Sequence, residues 1–222
     1  MAPPNHRELP DARRVDLAGA LAALARGEIV AYPTETFYGL AVDASDPAAL
    51  CRLTDWKGRG AEKTFGLIIT RARAGAGTRS AAAGASMLDA ICAEIPPVAA
   101  RLMAAHWPGP LTLALPARAE VPEVLVRDGC VAVRESPHPV AWALAAGFGR
   151  AITATSANRA GEAAARTGAE AAALPTGCWV LDGGDCPGGL PSTLVRVRGE
   201  RFEILRQGAI SAEAVAAAAQ AP

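Results

Sequence analysis

Aromatic residues, net charge and long hydrophobic runs are all scarce in this sequence. Phe, Trp and Tyr make up 5% of the 222 residues, although 51% are hydrophobic. Because alanine and aliphatic residues must then form the core, the composition favours helices packed on a sheet over an aromatic-rich barrel. We therefore expect one α/β domain, with an open, twisted mixed sheet and flanking helices.

The charge balance predicts no strong general attraction to polyanions, and the hydrophobic runs predict no membrane span. The 22 basic and 22 acidic residues cancel, so the overall field does not attract nucleic acid or anionic lipid, and any basic site must be local. No hydrophobic run approaches the roughly 20 residues that span a bilayer. The sequence thus predicts no association with membranes.

The cysteines and the N-terminus indicate a reducing compartment. The cysteines are odd in number and form no C-x-x-C pair, which argues against a disulfide framework; they are Cys51, Cys92, Cys130, Cys178 and Cys186. Residues 1–14 carry prolines and charges where a secretory signal would have an apolar segment. We expect a cytoplasmic protein with reduced thiols.

Hydrophobic periodicity and turn residues predict the secondary structure. Helices are expected from residue 16 to a stop at Gly27, over 47–56, in two stretches before Trp107, over 139–146, and after Ser211. Strands are expected at 28–33, 39–43, 65–70, 111–115, 130–134, 151–154, 178–181, 193–198 and 202–205. Residues 182–191 (DGGDCPGGLP) are predicted to form a loop, which would be either a lid or an ordinary surface connection.

Residues 57–63 (KGRGAEK) form the first candidate site. Three cations within seven residues, on a glycine-containing loop after a helix, suit a polyphosphate, although a solvated charged loop is the alternative. The segment is not a P-loop: Glu62 stands where the glycine before the lysine is needed, and no strand immediately precedes Gly58.

Polar residues also cluster at strand ends and turns. Residues 153–158 (TATSAN) follow a buried strand, where ligands of open α/β sheets commonly bind, and Ser156 and Asn158 share a face of an extended backbone. Capping of a turn is the alternative for these two residues. Residues 32–40 (YPTETFYGL) place two threonines, a glutamate and a tyrosine on one turn, which indicates recognition of a small ligand.

Taken in order, these segments resemble the YrdC-like, or TsaC, family of threonylcarbamoyl-AMP synthases. The resemblance spans roughly residues 15–210 and rests on residues 32–40, 57–59, Lys63, 107–112 (WPGPLT), 131–134 with His138 and Pro139, 156–158, 191–193 (PST) and 204–210 (ILRQGAI). It implies an α/β catalytic domain over 15–210, a flexible extension over 1–14 and a C-terminal helix or tail over 211–222.

The resemblance also implies a reaction and its site. Threonine, bicarbonate and ATP, with Mg²⁺ accompanying the triphosphate and no metal site of the protein's own, would yield threonylcarbamoyl-AMP for a transferase that modifies tRNA. Lys57 and Arg59 would be catalytic. The ATP site would consist of Lys57, Arg59, Lys63, Cys130, Asn158, Thr167 and Arg206. The threonine site would consist of Thr34, Thr36, Tyr38, Arg134, Ser156 and Ser192.

The chain departs from the family pattern at three places. Residues 64–66 (TFG) follow Lys63 where the family usually has a proline and apolar residues, and residues 162–166 (EAAAR) replace the usual proline-rich stretch before Thr167. Ile68 stands where many members place a histidine on the strand after the basic loop. The main alternative is an RNA-binding member of the same fold that has lost synthesis, which the absence of net charge disfavours. The second alternative function is that of a different carbamoyl-chemistry enzyme, because this fold also occurs inside larger carbamoyltransferases. His106 precedes residues 107–109 (WPG) and His138 precedes Pro139, and both histidines are expected to be structural.

Overall fold

The computed structural model describes residues 13–58, 64–71, 86–174 and 177–221. Its helices are α1 (Leu17–Ala25), α2 (Pro47–Lys57), α3 (Met87–Ile91), α4 (Pro97–His106), α5 (Pro139–Phe148), α6 (Gly168–Ala172) and α7 (Ala212–Ala219). Its strands are β1 (Arg14–Val15), β2 (Val30–Tyr32), β3 (Gly39–Ala41), β4 (Leu67–Ile68), β5 (Leu111–Pro116), β6 (Val126–Arg127), β7 (Cys130–Arg134), β8 (Ile152–Thr153), β9 (Thr155–Ser156), β10 (Trp179–Leu181), β11 (Thr193–Arg198) and β12 (Arg201–Arg206). The predicted elements are present, with bounds that differ by a few residues.

The strands form two mixed sheets. One has the order β1-β10-β2-β3-β9, and the other has the order β12-β11-β5-β7-β4-β8, with β6 paired to β7. Both contain parallel and antiparallel pairs. The predicted α/β class with open mixed strands is therefore confirmed, although the strands divide into two sheets where one was expected.

The division between the sheets falls at Ala154, which separates β8 from β9. Ala154 donates its N–H to Gly66 O, next to the second sheet, whereas the following residue, Thr155, pairs with Leu40 of the first. Thr153 donates its N–H to Val42 O just before the break. A single extended segment thus passes from one sheet to the other, and the polar residues of 153–158 lie where the sheets meet.

Strands β2 and β3 of the first sheet are fully buried, and β2 packs against helices on both faces. Along β2, Ala31 packs into one hydrophobic cluster with α2 and α4, whereas Val30 and Tyr32 pack into a second cluster with α1 and α5. Ile68 of β4 also lies in the second cluster and is fully buried.

Helix α2 places Lys57 at its last position. Asp46 caps the N-terminus by accepting from the N–H groups of Ala48 and Ala49, and Pro47 occupies the first turn. Gly58 ends the helix in the left-handed conformation (φ 60°), which favours glycine. The cap thus fixes where the Lys57 side chain leaves the helix.

Helix α7 belongs to the hydrophobic core, where Val215 and Ala219 are buried. Its last turn accepts a hydrogen bond from Arg101 of α4 at Ala219 O (2.8 Å).

At the other end of the described chain, Arg14 pairs with Val180 of β10. No helix among the described residues is long and apolar enough to cross a membrane.

His138 caps α5 and gives the fold a pH-dependent contact. Its Nδ1 accepts from Val140 N–H (3.3 Å), and burial lowers the pKa of His138. Because the folded protein binds this proton less readily than the unfolded chain, the free energy of unfolding should fall as the pH drops below about 6.5. In urea titrations between about pH 7.5 and 5.5, His138→Asn should lose less stability than the wild type, since asparagine caps without titrating. An equal loss in both proteins would contradict this role.

Candidate functional site

A cavity of about 250 Å³ lies where the two sheets meet. Its wall is formed by the turn before β3, the start of β4, the middle and end of β7, β9, and the segment leading into β11. Seven residues predicted from the sequence line it together: Thr34, Thr36, Tyr38, Arg134, Ser156, Ser192 and Arg206. These include all six residues predicted for the threonine site.

The turn between β2 and β3 holds its own shape through Thr34. The Thr34 hydroxyl donates to Phe37 O (2.7 Å) and accepts from Thr36 N–H (3.2 Å), and Thr34 is buried. A hydroxyl that closes a turn in this way is a local substitute for backbone pairing. Thr34 therefore positions Thr36 at the cavity wall, in addition to lining the cavity itself.

Tyr38 ties the 182–191 loop to the cavity. Its hydroxyl lies 3.0 Å from both Asp182 Oδ1 and Gly184 O, to which it can donate. Burial and the hydrogen bond with Asp182 raise the pKa of Tyr38, so it stays protonated near neutral pH. Gly188 N–H donates to Thr36 O (2.8 Å) farther along the loop. The segment has no regular structure, as predicted, and it is held against the site at both points.

Arg134, at the end of β7, is paired inside the protein with Glu35. The Arg134 Nη1 group donates to Glu35 Oε1, and Ser136 Oγ donates to Glu35 Oε2 (2.5 Å). The Arg134 side chain is 9% exposed and that of Glu35 is 15% exposed. Burial lowers the pKa of Arg134 to about 10, a value at which the guanidinium is still charged near neutral pH. Glu35 belongs to the polar turn noted in the sequence but was assigned no role there.

A second guanidinium, that of Arg206, meets the cavity from β12. Arg206 Nη2 donates to Ser192 O (2.9 Å), and burial lowers the pKa of Arg206. Ser192 Oγ also lies 2.7 Å from Thr112 Oγ1. Among the described residues that line the cavity, none carries a carboxylate. The cavity therefore suits an anionic ligand.

Lys57 lies behind this wall and is fully buried. Its Nζ donates to Ser156 O (2.7 Å), Asn158 O (2.7 Å) and Asn158 Oδ1 (2.8 Å), and Ser156 Oγ donates to Asn158 Oδ1 (2.6 Å). Three acceptors match the three hydrogens of an ammonium group. Lys57 thus holds the Ser156–Asn158 turn in place, and neither Lys57 nor Asn158 lines the cavity.

Two of the remaining predicted ATP residues, Cys130 and Thr167, do not line the cavity. Cys130 begins β7, four residues from Arg134 and so about 13 Å away along the strand. Thr167 caps α6 by accepting from Glu170 N–H (3.0 Å). Arg59 and Lys63 lie outside the described residues. Of the β4 side chains, Leu67 lines the cavity, while Ile68 packs in the second hydrophobic cluster.

The described residues contain no cluster of His, Cys, Asp and Glu that could hold a metal ion.

Comparison with known proteins identifies the family. The Sua5/YciO/YrdC family model, described as "Telomere recombination", matches residues 22–208. The chain is 42% identical over 162 residues to the threonylcarbamoyl-AMP synthase of Alkalilimnicola ehrlichii, covering 69% of this chain and 77% of that protein. It is 39% identical over 178 residues to the synthase of Xanthomonas euvesicatoria pv. vesicatoria, covering 76% and 86% respectively.

Two solved structures share the fold. The crystal structure of P. abyssi Sua5 complexed with L-threonine has a TM-score of 0.79 and 30% identity, covering 92% of this chain and 59% of that one. Escherichia coli YciO has a TM-score of 0.74 and 21% identity, covering 91% and 96% respectively, and supports the fold alone. The chain therefore belongs to the Sua5/YciO/YrdC family and is an enzyme, as are its relatives named threonylcarbamoyl-AMP synthase.

Proposed function

We propose that the protein joins L-threonine, bicarbonate and ATP into threonylcarbamoyl-AMP and pyrophosphate. The observation that carries this proposal is the convergence of Thr36, Arg134, Ser156 and Ser192 on one cavity, whose described lining residues include two arginines and no carboxylate. The names of the curated relatives support the same reaction, as does the threonine complex of the related Sua5.

Threonine is expected to bind with its carboxylate toward Arg134. A guanidinium recognises a carboxylate through parallel hydrogen bonds, and Glu35 and Ser136 hold this one in a fixed position. Thr36, on the turn between β2 and β3 that Thr34 fixes, would also contact the amino acid. Tyr38 and the 182–191 loop would limit access of water from that side.

ATP is expected to bind beside the amino acid, toward the end of α2. Arg206 and the Ser156–Asn158 turn would contact the nucleotide, and Lys57 would act by positioning that turn. Arg59 and Lys63 follow α2 directly in sequence, so we propose that they bind the phosphates. Cys130 and Thr167 remain proposed nucleotide contacts, which from their places in the fold would be made outside the described cavity.

The chemistry needs little from protein side chains beyond positioning and charge. The threonine amine attacks CO₂ derived from bicarbonate and loses a proton, which gives a carbamate. A carbamate oxygen then attacks the α-phosphorus of ATP, the bond from that phosphorus to the bridging oxygen breaks, and pyrophosphate leaves. Fixed cations that hold two anions together and stabilise the phosphate charge account for catalysis of this kind.

The product would be consumed by a transferase that modifies an adenosine of tRNA, with direct contact to tRNA as a further expectation. We expect the protein and this transferase to act in the cytoplasm, because tRNA and the proposed substrates are found there.

One incubation tests the proposal and separates it from an RNA-binding role. Purified protein is mixed with ATP, Mg²⁺, bicarbonate and isotopically labelled threonine. Labelled threonylcarbamoyl-AMP and an equal amount of pyrophosphate are expected, and both should depend on bicarbonate. RNA binding without labelled product would favour the non-synthetic alternative instead.

Arg59→Ala tests the phosphate assignment. The substitution should lower turnover by at least about tenfold, equivalent to about 1.4 kcal/mol of transition-state stabilisation. The initial rate of pyrophosphate release at saturating threonine measures the effect. A wild-type rate would remove Arg59 from the proposed phosphate site.

A further inference from the structure

Most hydroxyl groups buried in the cavity wall already have a partner within the protein. Tyr32 donates to Thr153 O (3.0 Å), Ser156 to Asn158 Oδ1 (2.6 Å), and Thr112 and Ser192 share a hydrogen bond (2.7 Å). These groups shape the cavity, and their hydrogen bonds would have to break or be shared before they could serve a ligand.

Thr155 differs from these residues. It lies on β9, lines the cavity and is 5% exposed, yet its Oγ1 is shielded from solvent and has no hydrogen-bond partner among the described residues. Burying a hydroxyl without a partner is unfavourable, and such groups in folded proteins call for a specific explanation. One explanation fits a residue that lines a cavity: a bound ligand supplies the missing hydrogen-bond partner.

The surroundings of Thr155 suit a small, neutral group. Gly66 and Ala154 are neighbouring wall positions that carry no charge. A Cβ on Gly66 would meet no atom closer than Ala132 O (3.9 Å), so there is room beside the strand at that point. Anionic groups of a ligand would bind at the guanidinium groups of Arg134 and Arg206 instead. A lone hydroxyl, able both to donate and to accept, is matched by another hydroxyl.

We propose that Thr155 is a specificity-determining residue whose hydroxyl binds the side-chain hydroxyl of the amino-acid substrate. The inference rests on the proposed function for the presence of threonine in the cavity. The Thr155 side chain can rotate about χ1 to another staggered position, which moves the hydroxyl to the place held by the methyl group or the hydrogen on Cβ. Because the hydroxyl has no hydrogen bond to lose, it is free to turn toward a ligand.

Calorimetric titration of the full chain with L-threonine and with L-2-aminobutyrate, which lacks only the hydroxyl, tests this role. In Thr155→Val the affinity for threonine should fall by about tenfold, or about 1.4 kcal/mol, while that for 2-aminobutyrate stays unchanged. Thr155→Ser should retain the preference for threonine. The unfolding temperature of Thr155→Val should be no lower than that of the wild type, because valine removes an unpaired buried hydroxyl.

Three results would overturn the inference. An unchanged affinity of Thr155→Val for threonine would remove Thr155 from recognition, and an equal loss for both amino acids would assign it to a shared atom of the substrate. Loss of the threonine preference in Thr155→Ser would show that the hydroxyl is not the determinant. A wild-type protein that binds no threonine would instead contradict the proposed function itself, so the two failures are distinguishable.

Discussion

Replacing Lys57 with methionine is expected to lower both the stability of the protein and its turnover. The substitution removes the Lys57 donor from three partly buried oxygens, two on Asn158 and one on Ser156, of which Asn158 Oδ1 keeps Ser156 Oγ as a donor and Ser156 O keeps the Asn158 N–H. Hydrogen bonds to a charged group contribute more than neutral ones, so we expect the free energy of unfolding to fall by about 3 kcal/mol. Turnover should fall by at least about tenfold, because the Ser156–Asn158 turn would no longer be fixed beside the nucleotide.

Urea unfolding and the rate of pyrophosphate release, measured on the same preparations, test both parts of this prediction. Arg101→Met is the matched control: it removes a cation that hydrogen-bonds a backbone carbonyl of α7 and does not line the cavity. It should leave turnover near the wild-type value. If Lys57→Met were inactive but fully stable, Lys57 would act on the phosphates and not as a support for the turn.

Arg134→Met should abolish efficient use of threonine and also destabilise the protein. It removes the expected partner of the substrate carboxylate, so the KM for threonine should rise by at least about tenfold. It also leaves the Glu35 carboxylate buried without its cation, and breaking a buried ion pair in this way costs about 3 kcal/mol or more.

The double variant Arg134→Met with Glu35→Gln separates these two effects. Neutralising Glu35 removes the unpaired charge, so most of the lost stability should return, whereas the KM for threonine should stay high. Thermal unfolding and threonine-dependent kinetics of the wild type and the single and double variants provide the comparison. Recovery of the threonine KM in the double variant would show that Arg134 acts through stability alone.

Local sequence patterns predicted much of the fold and of the cavity wall. Asp46 and Pro47 begin α2 as their capping chemistry requires, and the strands near the site were recognised from short apolar runs. Thr36, Arg134 and Ser192, which are far apart in sequence, were assigned to one site from the family motifs, and they line one cavity. Their contacts with a ligand remain predictions.

Contacts between distant segments could not be predicted in the same way. Glu35 and Arg134 are 99 residues apart, as are Lys57 and Ser156, so neither pairing follows from local periodicity. The absence of a partner for Thr155 Oγ1 depends on every group packed around it. The place of a residue in a family motif therefore predicts the site to which it belongs more readily than the contacts that it makes there.

The division of the strands at Ala154 also depends on contacts between segments that are distant in sequence. Residues 151–154 were predicted as one short strand, but two neighbours, β3 and β4, compete for the segment from different directions. Likewise, the alternation along β4 directs Leu67 to the cavity and Ile68 to the second hydrophobic cluster. Ile68, which stands where many family members place a histidine, therefore does not line the described cavity.

The most direct test of the account is a crystal structure with L-threonine and a non-hydrolysable ATP analogue bound together. We expect the threonine carboxylate within hydrogen-bond distance of the Arg134 guanidinium, and the α-phosphate next to the threonine amine on the side of the Ser156–Asn158 turn. Threonine bound away from Arg134, or the two ligands in separate pockets, would contradict the account.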